Sequence, residues 1–169
     1  NGNRKSLKVM GRNVQFGIAA AKMAMQDAGL YDDQKLDRTR LGVVMGTGIV
    51  PIDLGEFSGA VSQATNGVFS LPKFAELEQA EMQPLWILRH LPNMVAAHIS
   101  LANNAMGPNN TIVTACAAGT QAVGEAFRLI DRGDAEVMLA GGADSRIDPL
   151  LFVAYTVLGA VSRSSRPPE

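Results

Sequence analysis

TIVTACAAGTQAVGEAFRLIDRGDAEVMLAGGAD, residues 111–144, holds a strand, a helix and a second strand in succession. Its first five residues, TIVTA, are rich in β-branched side chains, which suit a pleated, half-buried surface. From Cys116 onward the pattern turns helical. Ala122, Val123, Ala126, Phe127 and Ile130 recur at helical spacing as an apolar stripe. Arg128 and Arg132 in the last turns complement the helix dipole, and Gly133 ends the helix. Residues 136–144, EVMLAGGAD, read as another largely apolar strand that closes on glycines. Apolar strands alternating with helices imply a sheet covered on both faces, an α/β layered fold.

The same alternation extends upstream. Residues 13–28 read as a helix, with Phe16, Ala19, Ala20, Met23 and Ala24 as its apolar stripe and Gly29 as its C-terminal glycine. LGVVMGTG, 41–48, is a short apolar run closed by glycines and reads as a buried strand. Residues 49–71 are mixed. Pro72 starts a helix over 73–82 with Ser70 as a possible cap. A helical pattern over 92–105 is closed by the turn signal Gly107-Pro108-Asn109-Asn110. Asp148-Pro149 is a cap followed by a first-turn proline, which predicts a helix over 149–158. Residues 1–12 form a basic arm with Arg4, Lys5, Lys8 and Arg12 and no acid. Such an arm is either simply solvated or a docking patch for an acidic partner.

Composition narrows the function classes. In 169 residues, 47% are apolar and 18% charged, enough for a real core and too little charge for disorder. A net charge of −1 gives no electrostatic case for nucleic acid. The single cysteine excludes an internal disulfide framework and a multi-cysteine metal site, and suits a reducing, cytoplasmic compartment. No apolar run approaches the roughly 18 residues of a membrane span, and no signal peptide is recognisable. The first residue is Asn1 and the last stretch, SRSSRPPE, is polar and proline-rich. The expectation is a part of a longer protein.

Cys116 is the residue with chemistry to offer. After a strand and at the first turn of a helix, free backbone N–H groups and the helix dipole favour a thiolate and can face a developing oxyanion. Ala117, Ala118 and Gly119 leave room for a substrate or a second backbone. The setting is like the nucleophile elbow of serine hydrolases, without the G-x-S-x-G pattern. A small buried packing residue is the competing reading, and spacing alone leaves both open. Gly46-Thr47-Gly48 lacks the third glycine of a dinucleotide fingerprint. Gly141-Gly142 reads as close packing rather than a phosphate cradle. His98 reads as a satisfied structural histidine and His90 as part of a packed corner. No carboxylate pair stands out, and the methionines read as core filler.

These residues carry a family resemblance. VTACAAGTQAVGEAFRLIDRGDAEVMLAGGAD resembles the nucleophile region of the β-ketoacyl-acyl carrier protein synthases, type II elongating branch. LPNMVAAHIS followed by GPNNTIVTAC, GVVMGTGI, and VQFGIAAAKMAMQDAGL are similar to further segments of that family, in the family's order. The resemblance implies a thiolase-like layered αβα fold, of which 1–169 would be the partial N-terminal half. It implies a decarboxylating Claisen condensation in fatty acid or polyketide elongation, with no cofactor. Cys116 would take the acyl group as a thioester, with its backbone N–H as an oxyanion donor. Ile49 would lie at the floor of the acyl pocket, and Trp86 would line the pocket from the neighbouring subunit of a homodimer. Lys5 and Lys8 would meet the acidic acyl carrier protein. A strand ahead of the cysteine helix would lie near the dimer's twofold axis.

The chain also departs from the family pattern. Alanines stand at 117 and 118, where members often carry hydroxyl residues. The family's two catalytic histidines, its lysine and the loop with the second oxyanion donor would lie beyond Glu169, and His90 and His98 do not match them. The chain alone is therefore expected to be inactive in condensation. Two other readings remain: a thiolase-type acyltransferase using coenzyme A thioesters, and a non-catalytic synthase-like partner subunit. The segment LPNM and the basic arm speak against the first, and Cys116 against the second.

Overall fold

The computed structural model describes residues 6–48, 54–82, 84–145, 147–162 and 164. In chain order these form α1 (Arg12–Asp27), β1 (Leu41–Gly46), α2 (Gly55–Ala64), β2 (Thr65–Asn66), β3 (Val68–Phe69), α3 (Leu71–Glu81), α4 (Met94–Asn103), β4 (Asn109–Ile112), α5 (Ala118–Asp131), β5 (Val137–Gly142) and α6 (Pro149–Val157), with short 3-10 turns between. They fall into two compact units, Asn1–Val50 with Pro84–Ser145 and Pro51–Gln83 with Arg146–Glu169.

The first unit is built on a parallel sheet in the order β4-β1-β5. Every residue of β1 is buried, as expected of a central strand covered on both faces. Alternation along the strand divides its side chains between the two layers. Leu41, Val43 and Met45 join Val14, Met25, Val95 and Ile99 of α1 and α4 in one cluster. Val44 points the other way and joins Ala122 and Leu129 of α5. The result is a helix–sheet–helix sandwich, and each of these large side chains contributes about 1.5–3 kcal/mol by leaving water. The strands end level: Gly46 lies opposite Ile112 on one side and Gly142 on the other.

α1 buries a different face from the one predicted, and α5 buries Ala122 and Ala126 of its predicted stripe but not the larger members. In α1 the buried residues are Asn13, Val14, Gly17, Ala21 and Met25, while Phe16 and Met23 of the expected stripe are exposed. The reason is close approach. A Cβ on Gly17 would sit 2.8 Å from Val95 Cγ1, so α1 meets α4 through its smallest residues. Phe16 instead lies on the surface with the Arg12 guanidinium 5.3 Å from its ring centroid. In α5, Ala118, Ala122, Ala126 and Leu129 are buried, and Val123, Phe127 and Ile130 are exposed. Again the alanines face the sheet. The C-terminus of α1 follows expectation: Gly29 has φ +68°, and its N–H and that of Leu30 close back on Gln26 and Met25, a Schellman motif.

Two boundaries at the cysteine also shift. β4 spans Asn109–Ile112 rather than 111–115, because Asn109 and Asn110 of the expected turn already pair with Val43 and Val44. α5 starts at Ala118, not Cys116, with a 3-10 turn over Ala115–Ala117 ahead of it.

In the second unit, α2 leads into a two-stranded hairpin, Thr65 opposite Phe69, turning at Gly67 with φ +76°. Neither was apparent in the mixed sequence of 49–71. α3 follows with Ser70 at the N-cap position, although its side chain makes no capping bond. Asp148 does cap α6, accepting from the Leu151 N–H at 2.9 Å, with Pro149 in the first turn.

Candidate active site at the carboxyl ends of the strands

Because β4, β1 and β5 are parallel, the segments that leave them emerge on one edge, the usual place for ligands in open α/β sheets. Cys116 leaves β4, Thr47-Gly48 leave β1 and Ala143-Asp144 leave β5.

Cys116 is exposed in this chain, where the packing reading expects burial. It sits in the middle of the 3-10 turn, closed by the Ala117 N–H on the Thr114 carbonyl at 3.2 Å. The turn is entered through Ala115 at φ +50°, a left-handed conformation uncommon for a residue with a Cβ and costing about 1–2 kcal/mol. The Thr114 hydroxyl donates to Gln121 Oε1 and ties the approach to the first turn of α5.

Three glycines bring α5 onto the sheet at this point. A Cβ on Gly46 would fall inside the backbone of Ala118 and Gly119. A Cβ on Gly142 would come within 3.3 Å of the Gly119 Cα. The room predicted after Cys116 is thus filled by the chain's own backbone. Gly142 makes the close packing expected of the glycine pair, while nothing crowds Gly141. Ala118 is buried against β1 at this junction. Ala117 is exposed, and nothing in the structure explains its lack of a hydroxyl.

The turn after β1 is held from both sides. The Thr47 N–H donates to the Ile112 carbonyl at 3.0 Å. The Thr47 hydroxyl and the Gly48 N–H both donate to Asp144 Oδ1, at 3.1 and 3.0 Å. Sequence reasoning missed Asp144 and weighed Thr47 only as part of a fingerprint.

The other candidates lie elsewhere. Trp86 is in the 3-10 turn Trp86–Arg89, its ring 4.4 Å from that of His90 and tilted by 40°, so His90 is part of a packed corner. Lys8 is exposed in the N-terminal 3-10 turn Ser6–Val9. Ile49 and Lys5 lie outside the described residues. His98 is buried, but its Nε2 has no hydrogen-bond partner, so it is not the satisfied histidine expected. Burial holds the pKa of its imidazole below the ordinary 6.5, favouring the neutral form. It lines a largely apolar cavity of about 530 Å³ with Leu7, Met10, Ile18 and Leu101. Among the described residues no group of three His, Cys, Asp or Glu is placed to hold a metal ion, and no helix is long and apolar enough to cross a membrane.

Residues 2–168 match the model of the beta-ketoacyl synthase, N-terminal domain. The chain belongs to this family. As a β-ketoacyl synthase N-terminal domain it is 32% identical over 167 residues to the 3-oxoacyl-[acyl-carrier-protein] synthase 2 of Vibrio harveyi, covering 99% of this chain and 37% of that protein. It is 30% identical over 160 residues to the same-named protein of Staphylococcus aureus, covering 95% of the chain and 36% of the relative. The domain therefore spans a little over a third of the length of these curated relatives. Among solved structures it resembles a beta-ketoacyl synthase from Burkholderia phymatum STM815, with TM-score 0.72 and 25% identity over 95% of this chain and 36% of that one. A ketosynthase structure described as a type II PKS acyl-carrier protein complex, bound to the hexaketide, superposes with TM-score 0.71 at 23% identity, covering 90% of this chain and 40% of the other. The fold is the thiolase-like layered αβα arrangement expected from the sequence.

Proposed function

We propose that this chain is the nucleophile-bearing, N-terminal part of a 3-oxoacyl-acyl carrier protein synthase. The observation that carries the reading is the exposed turn of Cys116 at the carboxyl edge of the sheet, in a domain of the β-ketoacyl synthase family. The names of the curated relatives supply the substrate class.

In the first half-reaction the Cys116 thiolate attacks the thioester carbon of an acyl-carrier protein. The tetrahedral oxyanion collapses, the carrier's sulfur leaves as a thiolate, and the acyl group stays on the sulfur of Cys116. In the second, a malonyl-carrier protein loses carbon dioxide, and the resulting carbanion attacks the Cys116 thioester. A carbon–carbon bond forms and the Cys116 thiolate is released. The backbone N–H of Cys116 is one oxyanion donor, a role typically worth about 10²–10³ in rate. No residue of this chain is assigned to the decarboxylation.

The finer roles rest on the family resemblance: Ile49 and Trp86 line the acyl pocket, and Lys5 and Lys8 dock the acidic acyl carrier protein. The exposure of Lys8 is consistent with docking. Among the described residues β4 is an edge strand, a position that supports pairing across a homodimer. The proposed setting is cytoplasmic, in fatty acid or polyketide elongation.

Intact-mass spectrometry of the full-length protein with an acyl-carrier substrate tests this reading. The expected result is a single acyl adduct on Cys116, absent in Cys116→Ala. A folded wild-type protein without an adduct excludes it.

A further inference from the structure

We propose that Thr47 and Asp144 are a pair of positioning residues that hold the backbone around Cys116, and with it the N–H that receives the oxyanion. The proposal rests on the condensing reading above.

The pair joins the segments that leave two neighbouring strands. Asp144 follows β5, and Thr47 and Gly48 follow β1. Asp144 Oδ1 accepts from the Thr47 hydroxyl at 3.1 Å and from the Gly48 N–H at 3.0 Å. Bonds to a carboxylate are charge-assisted and among the stronger ones a side chain makes. Thr47 is only 2% exposed, so a hydroxyl deprived of this acceptor would carry the cost of an unmet buried donor. The Ala143 N–H donates to the Gly46 carbonyl at 3.1 Å and closes the same junction through the backbone.

Two contacts carry this fixed turn to the cysteine. On one side the Thr47 N–H donates at 3.0 Å to the carbonyl of Ile112, the last residue of β4. On the other, Gly46 packs against the start of α5, where a Cβ on it would fall inside the backbone of Ala118 and Gly119. Gly46 and Thr47 therefore touch the chain both before and after the turn that holds Cys116. Within that turn Ala115 sits at φ +50°, a conformation that persists only where the surroundings enforce it. Asp144 acts through Thr47 and Gly46, not on the reacting atoms. A misplacement of about 1 Å passed on in this way can cost about 10²-fold in rate.

The test uses the full-length protein and two reactions of the same sulfur, both followed on the Cys116 peptide by mass spectrometry. Acylation by an acyl-carrier substrate passes through a tetrahedral oxyanion and needs the N–H in place. Alkylation by iodoacetamide does not: the thiolate displaces iodide in one step, with no oxyanion formed. In Asp144→Ala and Thr47→Val, the maximal acylation rate should fall about tenfold, less than the 10²–10³ lost when an oxyanion donor is removed outright. Alkylation, which needs only the thiolate, should stay within about twofold of wild type. Asp144→Asn keeps the acceptor oxygen and Thr47→Ser keeps the hydroxyl, so both should acylate within about threefold of wild type. Unchanged acylation in folded Asp144→Ala or Thr47→Val overturns the proposal. So does an equal fall of acylation and alkylation, which marks a merely structural role. Should Asp144→Ala fail to fold, Thr47→Val against Thr47→Ser decides. A wild type that is alkylated but never acylated removes the condensing reading and this proposal with it. A wild type that acylates while the variants keep pace removes this proposal alone.

Discussion

Gly46 and Ala118 meet backbone to backbone: the Cβ that Gly46 lacks would overlap the Ala118 carbonyl. This contact sets how near the start of α5 comes to the sheet, and Cys116 lies two residues before that start. Neither partner is the far end of a flexible side chain, so neither can yield cheaply. Gly46→Ala should therefore destabilise the fold by about 1–3 kcal/mol, the usual cost of overpacking. It should also slow acylation of Cys116 by pushing α5 outward. Urea denaturation of the full-length protein measures the first effect, and intact-mass kinetics the second. Wild-type values for both would mean that the junction relaxes freely.

Ala115 offers the opposite kind of test. Its φ of +50° places a Cβ where glycine would be at ease. Ala115→Gly removes that strain, about 1–2 kcal/mol, but gives back about 0.5–1 kcal/mol in unfolded-chain entropy. The expected net change is a slight stabilisation, with looser positioning of Cys116 and slower acylation. Ala115→Val should be destabilising, because a β-branched side chain is still worse in this region. Stability of both variants by denaturation, with acylation rates beside it, separates the strain from its use. If Val is tolerated as well as Gly, the turn is not held in the left-handed conformation.

The strands and the cysteine elbow were legible in the sequence for a simple reason. A central strand buried on both faces is a continuous apolar run, and LGVVMG is one. The β-branched run ahead of Cys116 located its strand to within two residues at the start and three at the end. The helix faces were legible only in part: Ala122 and Ala126 of the stripe read for α5 are buried, and its larger members are not. In α1 and α5, alanines and glycines occur on several sides, and large apolar residues draw the eye to Phe16 and Phe127. Packing chose Gly17, Ala21, Ala122 and Ala126 because they permit close approach. Asp144 was hidden for a different reason. Its partners are 96 and 97 residues away, and no local pattern announces a bond across that distance. The hairpin at Thr65–Phe69 is too short for its period to register.

The outer face of α5 makes a prediction about the isolated chain. Val123, Phe127 and Ile130 recur at spacings of four and three and are 55, 69 and 45% exposed. A contiguous apolar face of this kind promotes association. The 169-residue chain, expressed by itself, should bind a hydrophobic dye and self-associate in a concentration-dependent way. Phe127→Lys should reduce both, while changing folding stability by no more than about 0.5 kcal/mol, as expected of an exposed site. Light scattering and dye titration across a concentration series check this. A monodisperse wild-type chain would show that the face is harmless.

His98 gives a pH dependence with a definite sign. Burial lowers its pKa from 6.5, so the unfolded chain binds a proton at a higher pH than the folded one. The stability associated with neutral His98 is fully present above pH 6.5. It is lost progressively as the pH falls from there through the lower, folded-state value, because the unfolded state then takes up the proton first. His98→Leu removes this contribution, and it also removes the buried Nε2 that lacks a partner. The variant should be at least as stable as wild type at pH 5.5, and its stability should vary less between pH 7.5 and 5.5. Urea denaturation at these two pH values on wild type and variant gives the comparison. An equal pH dependence in both proteins would mean that His98 titrates in the fold as it does in the unfolded chain.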